Sequence, residues 1–94
     1  MTPIQDILHR IAWDPAFGSA RFVIGYRDRV RGRIVRIPFE RIVLATGRGF
    51  AFDVVGADGV VRMIPYHRVR EVRRDGRIVW RRVVAREKDD DDPV

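Results

Sequence analysis

Between positions 4 and 11 the apolar residues Ile4, Ile7, Leu8 and Ile11 recur three and four apart, with Gln5, Asp6, His9 and Arg10 filling the gaps. That stripe predicts an amphipathic helix over 2–12 with one face turned to a core. Thr2 suits the N-cap, Pro3 the first helical position, and Gln5 stands where it can complete a capping box with Thr2. Asp14-Pro15 ends the helix, because proline disfavours helical backbone in the residue before it. Residues 14–20, with Pro15, Gly18 and Ser19, read as a loop.

From residue 21 the period changes to two. Phe22, Ile24 and Tyr26 alternate with Val23, Gly25 and Arg27 and predict a strand at 21–28. Ile34, Val35 and Ile37 predict a second strand, which Pro38 ends or places at an edge, and Phe39-Glu40 makes a short turn. A third strand is expected over Ile42 to Ala45, then a turn where Gly47 and Gly49 flank Arg48. Phe50, Phe52 and Val54 share a face of a fourth strand, Gly56-Ala57-Asp58-Gly59 is a turn, and Val60 to Ile64 form a fifth. Asp75-Gly76, set between two runs rich in β-branched residues, predicts a hairpin that supplies the sixth and seventh.

No internal repeat is evident. The expected class is α+β, mostly β: an N-terminal helix packed on a curled antiparallel meander sheet or partly closed barrel. Ile7, Leu8, Ile11, Tyr26, Phe22, Phe50 and Phe52 are expected inside. The hairpin register is open, since either Arg74 or Arg73 can pair with Arg77. Strict alternation puts Ile78 and Trp80 together on the core face and Arg77, Val79 and Arg81 opposite.

Charge then narrows the function. The chain has 94 residues, no cysteine and a net charge of +6. Residues 85–94, AREKDDDDPV, hold two positive and five negative charges, which leaves +9 on residues 1–84. We therefore expect a single basic globular domain at 1–84 and an acidic disordered tail at 85–94. The tail is either a solubilising appendage or an internal decoy against nonspecific polyanions. Without cysteine there is no disulfide framework or thiolate metal site. No apolar run is long enough to cross a membrane and no signal-peptide pattern opens the chain, so a cytoplasmic protein is expected.

The last hairpin and its approach carry Arg68, Arg70, Arg73, Arg74, Arg77, Arg81 and Arg82. Guanidinium groups match phosphate oxygens two at a time, so a ribbon studded with them suits phosphate or nucleic acid. The same bias toward arginine also fits a solvated basic surface, or an adaptor that docks an acidic protein.

Three segments together resemble the RNA cyclic group end recognition domain, formerly a domain of unknown function. They are IQDILHRIAWD (4–14), FVIGYRDR (22–29) and IPYHRVREVRRDGRIVWRR (64–82). The resemblance spans residues 4–82 and implies binding of RNA ends that carry a 2′,3′-cyclic phosphate, in the company of RNA repair or processing enzymes such as ligases or phosphoesterases. The positions that match its pattern are Trp13, Asp14, Tyr26, Asp28, Arg29, His67, Arg68 and Trp80.

On that reading Arg29, His67 and Arg68 are the candidate donors to the end phosphate. Trp13 and Tyr26 are candidates to stack on a terminal base, or else belong to the core. Asp14 and Asp28 can orient the arginines or serve as plain turn and cap residues. Arg29 can instead pair with Asp28 or Asp14, His67 can be a structural residue after the Pro65-Tyr66 bend, and Trp80 is read as core. A cofactor, a metal site and catalysis are not expected. His9 and His67 stand far apart in the chain, and the tripeptides His9-Arg10-Ile11 and His67-Arg68-Val69 lack the hydroxyl residue of two-histidine phosphodiesterases.

Overall fold

The computed structural model describes residues 3–44 and 49–83. The Thr2 cap, the Gly47-Arg48 turn, the end of the third expected strand and the acidic tail lie outside the described residues. The architecture is mostly β with an N-terminal helix, in two antiparallel sheets.

Helix α1 spans Ile4–Trp13 and buries Ile4, Leu8 and Ile11, while Ile7 is half-buried at the edge of the same stripe. Pro3 is the N-cap. The Gln5 Nε2 donates to the Gly49 carbonyl at 3.0 Å, tying the helix to the segment that leads into the strand Ala51–Val55. The expected loop contains a short helix, α2 (Pro15–Gly18). The Asp14-Pro15 pair that stops α1 also starts α2: the Asp14 carboxylate accepts from Ala16 N at 3.1 Å and Phe17 N at 3.2 Å, and Pro15 takes the first helical position. Phe17 packs on Phe22 and lies under the Arg10 guanidinium, 4.1 Å from its ring centre.

Seven strands follow: β1 (Phe22–Asp28), β2 (Arg33–Pro38), β3 (Ile42–Val43), β4 (Ala51–Val55), β5 (Val61–Pro65), β6 (Val69–Arg74) and β7 (Arg77–Arg81). They do not run as one meander. One sheet has the order β2-β1-β6-β7 and the other β3-β4-β5. Two one-turn 3-10 corners, Phe39–Arg41 and Tyr66–Arg68, carry the chain from one sheet to the other and back. A proline precedes each corner, Pro38 with φ −68° and Pro65 with φ −61°, and its fixed φ suits the exit from a strand.

These corners expose a repeat that the sequence conceals. Ile37-Pro38-Phe39-Glu40-Arg41-Ile42 matches Ile64-Pro65-Tyr66-His67-Arg68-Val69. Each follows a hairpin with the same pairing: Val23 opposite Pro38 and Ile24 opposite Ile37 in the first, Ala51 opposite Pro65 and Phe52 opposite Ile64 in the second. After the corner each unit gives its third strand to the other. Strand β3 pairs with β4, and β6 pairs with β1. So little of the pattern survives, an Ile-Pro-aromatic-x-Arg core, that no periodicity announces it.

The inner faces of both sheets and the helix stripe meet in one core that includes Phe22, Ile24, Phe52, Val69 and Val72. Tyr26 and Trp80 are buried in it. Two of the expected core residues are not: Phe50 is 59% exposed and Ile78 is 44% exposed. Phe50 sits in a bend before β4 begins, where strand alternation does not yet apply. Ile78 is displaced by a bulge. Asp75 and Gly76 both have positive φ (50° and 86°), as a two-residue type I′ turn requires, and Arg74 pairs with Arg77. Arg73 then faces Ile78 but Val72 faces Trp80, so Val79 is the extra residue and alternation breaks between Ile78 and Trp80.

On the outer face of the four-stranded sheet Gly25 lies between Arg36 on β2 and Glu71 on β6. A side chain at Gly25 would collide with Glu71, whose Cγ is 2.6 Å from the place of a Cβ. The missing side chain lets the Glu71 carboxylate reach Arg36 Nε at 2.8 Å and Arg73 Nε at 2.7 Å.

Candidate phosphate site and adjoining cleft

The second corner and the end of β1 come together at one end of the four-stranded sheet, beside its two central strands. Arg29, His67 and Arg68 line a concavity of about 340 Å³, joined by Arg27 and Arg70. Each side chain arrives by a different local device. Arg27 alternates outward from buried Tyr26 on β1. Arg29 stands in the turn just after β1, which the Asp28 carboxylate organises by accepting from Val30 N at 2.9 Å and Arg31 N at 3.0 Å. His67 and Arg68 belong to the 3-10 corner. Arg70 is the extra residue of a bulge in β6 relative to β1, because Gly25 faces Glu71 while Tyr26 faces Val69. Bulges re-aim side chains in this way. Here the Arg70 guanidinium turns back and its Nη1 donates to the His67 carbonyl, bracing the corner.

The two carboxylates that the sequence offered to Arg29 are engaged elsewhere. Asp28 faces Arg31 at 3.9 Å, and Asp14 faces Arg10 at 3.6 Å. Arg29 forms an ion pair with neither, so its guanidinium is not neutralised by the partners the sequence offered. His67 is exposed and Arg68 half-buried. Four arginines and a histidine facing one concavity make a positive focus into which an anion fits.

Asp14 caps α2, and Trp13, 63% exposed, meets the His9 ring edge-on at a centroid distance of 5.0 Å. Neither lines the concavity. Tyr26 is buried and offers no free ring face, although it lines the larger cleft next door with Asp28. Burial pushes the Tyr26 phenol above its usual pKa and Asp28 adds to this, while Arg31 and Arg62 pull the other way. The hairpin arginines do not act as a single ribbon. Arg68 and Arg70 face the concavity, Arg73 binds Glu71, Arg74 lies near the Phe17 ring and Arg82 lies over Trp80.

Arg27 is not among the sequence candidates, and Arg70 is among them only as one of the hairpin arginines, not as a residue of the site. Strand alternation two residues before Arg29 could have found Arg27; the bulge that turns Arg70 leaves no mark in composition or spacing. Phe39-Glu40-Arg41 makes the same turn as Tyr66-His67-Arg68 with an acid in place of the histidine, so the turn itself does not require His67. Among the described residues no group of three or more His, Asp or Glu side chains could hold a metal ion.

The family model described as the MJ1316 RNA cyclic group end recognition domain matches residues 1–82. The chain is also similar to UPF0248 proteins of archaea. It is 30% identical to that of Thermococcus onnurineus over 79 residues, 82% of each chain. It is 35% identical to that of Metallosphaera sedula over 83 residues, which is 88% of this chain and 96% of the relative. Identity to that of Pyrococcus furiosus is 35% over 79 residues, 82% of this chain and 84% of the relative. No solved structure matches the chain. The chain belongs to the MJ1316 RNA cyclic group end recognition family.

Proposed function

We propose that the chain is a non-catalytic module that binds RNA ends carrying a 2′,3′-cyclic phosphate, with that phosphate in the concavity of Arg29, His67 and Arg68. The observation that carries this reading is the convergence of those three residues with Arg27 and Arg70, from separate stretches of chain, on one small concavity. The family description supplies the class of ligand.

A cyclic phosphate bears one negative charge on two non-bridging oxygens. Two planar guanidinium forks approaching from a turn and a 3-10 corner can serve both oxygens, and an imidazole can donate to either. Such ends are the substrates and products of RNA ligases and phosphoesterases, so the module is read as a cytoplasmic partner of that chemistry, delivering or shielding ends rather than cleaving them. The reading treats residues 1–84 as the binding domain and 85–94 as an acidic appendage.

The test is a titration with otherwise identical RNAs ending in cyclic phosphate, 3′-phosphate and 3′-hydroxyl. Tightest binding to the cyclic end supports the proposal. Equal affinity for all three would reduce the site to a general polyanion surface.

A further inference from the structure

Next to the phosphate concavity, and sharing Arg27, Arg29 and Arg68 with it, lies a cleft of about 920 Å³ between the two halves of the repeat. Its floor is apolar, formed by Val35, Ile37, Val54, Met63 and Ile64. Its walls are the tips of the β1–β2 and β4–β5 hairpins, and they are built alike. Asp28 organises the first tip and faces Arg31 at 3.9 Å; Asp58 organises the second, accepting from Val60 N at 3.0 Å, and faces Arg62 at 3.5 Å. Both arginines line the cleft, as does Tyr26. Arg41 lines the cleft as well, and it occupies in the first corner the place that Arg68 occupies in the second.

We propose that this cleft holds the nucleotide immediately 5′ of the RNA end, its base against the apolar floor and its phosphate on Arg41 and Arg62. The inference rests on the end-binding reading and extends it: the ligand is a single strand of at least two nucleotides, entering between the hairpin tips. An anion alone would need only the cations. An apolar floor under a cationic rim fits a ligand with a flat apolar face and a charged backbone, which is a nucleotide in an unpaired strand.

The experiment compares a nucleoside 2′,3′-cyclic monophosphate, a dinucleotide with the same cyclic end, and a dinucleotide with a 3′-hydroxyl. Each is titrated against the wild-type chain, the double variant Arg41→Ala/Arg62→Ala and, separately, Met63→Glu, with circular dichroism verifying the fold of each. We expect the cyclic dinucleotide to bind about tenfold tighter than the mononucleotide, with a salt dependence steeper by about 0.7 in log–log slope for the added phosphate contact. Both variants should erase that gain and leave mononucleotide affinity unchanged. Equal affinity for cyclic mononucleotide and dinucleotide, or a gain that survives both variants, would overturn the cleft assignment while leaving end recognition in place. A length gain that the variants erase, together with equal binding of cyclic and hydroxyl dinucleotides, would keep the cleft as a strand-binding groove and overturn end recognition. No binding of any of the three would overturn both.

Discussion

His67 takes the place in the second 3-10 corner that Glu40 takes in the first, each as the middle residue of a turn that follows Ile-Pro and ends in Arg. One backbone design thus appears twice with opposite electrostatic preference. The corner needs proline to leave the strand and a partly or fully buried aromatic ring to anchor it, Phe39 in one case and Tyr66 in the other. The middle position is free to carry function.

His67→Glu should therefore fold normally and bind RNA poorly. We expect unfolding free energy within about 0.5 kcal/mol of wild type, as for a surface substitution, and weaker RNA binding than in His67→Ala, since a carboxylate in the concavity repels phosphate. Denaturant unfolding and an RNA titration on both variants check this. A large loss of stability would return His67 to a structural role.

Arg68→Ala should weaken binding of cyclic-phosphate RNA by about 1.5–3 kcal/mol, the range for a hydrogen bond to a charged group. RNA with a 3′-hydroxyl should lose much less. Equal losses for both RNAs would assign Arg68 to backbone contacts alone.

Gly25→Ala should destabilise the fold by about 1–3 kcal/mol, the usual cost of overpacking, because the new Cβ would meet the Glu71 side chain at 2.6 Å. Gly49→Ala is the control: nothing lies within 4 Å of a Cβ there. Urea midpoints of the two variants give the comparison, and equal midpoints would contradict the packing at Gly25.

Glu71 predicts an acid-sensitive fold. Burial pushes its carboxyl up, but the hydrogen bonds from Arg36 and Arg73 more than reverse this and hold it below the usual glutamate value. A folded-state pKa below the unfolded one stabilises the protein fully above the unfolded value of about 4.3. That stabilisation disappears as pH falls through the folded-state value. Glu71→Gln should lower stability at pH 7 and flatten the fall below about pH 4; thermal unfolding across pH 2–7 in both proteins measures it.

Removal of residues 86–94 takes away a net charge of −3 and leaves +9 on what remains. Nonspecific RNA affinity at low salt should rise and thermal stability should stay nearly constant. Unchanged affinity would reduce the tail to a solubilising role.

The helix was legible because Ile4, Leu8 and Ile11 repeat at the spacing that a helix itself imposes, and the last turn because Asp-Gly accepts positive φ at both positions. The two bulges were not. Whether Arg70 or Val79 is the extra residue depends on what the neighbouring strand places opposite, which local alternation does not encode. That single-residue shift turned Ile78 outward and aimed Arg70 at the site. The candidates split along the same line. Arg29, His67 and Arg68 meet at one place, while Trp13 and Asp14 stay with the helices that their own local chemistry terminates and caps. The repeat escaped notice because it is a matter of topology, carried by strand exchange and a handful of shared side chains.

That exchange fixes more than the order of strands. With β3 zipped to β4 and β6 to β1, the two halves hold each other as clasped hands do. Spreading the hairpin tips means unfastening a ladder of backbone hydrogen bonds, so the gap between them has its width set by main chain rather than by the reach of side chains. On the proposed reading, a strand arriving there meets walls already held by paired main chain, in contrast to loop-built sites that must settle around their guest and lose affinity in doing so.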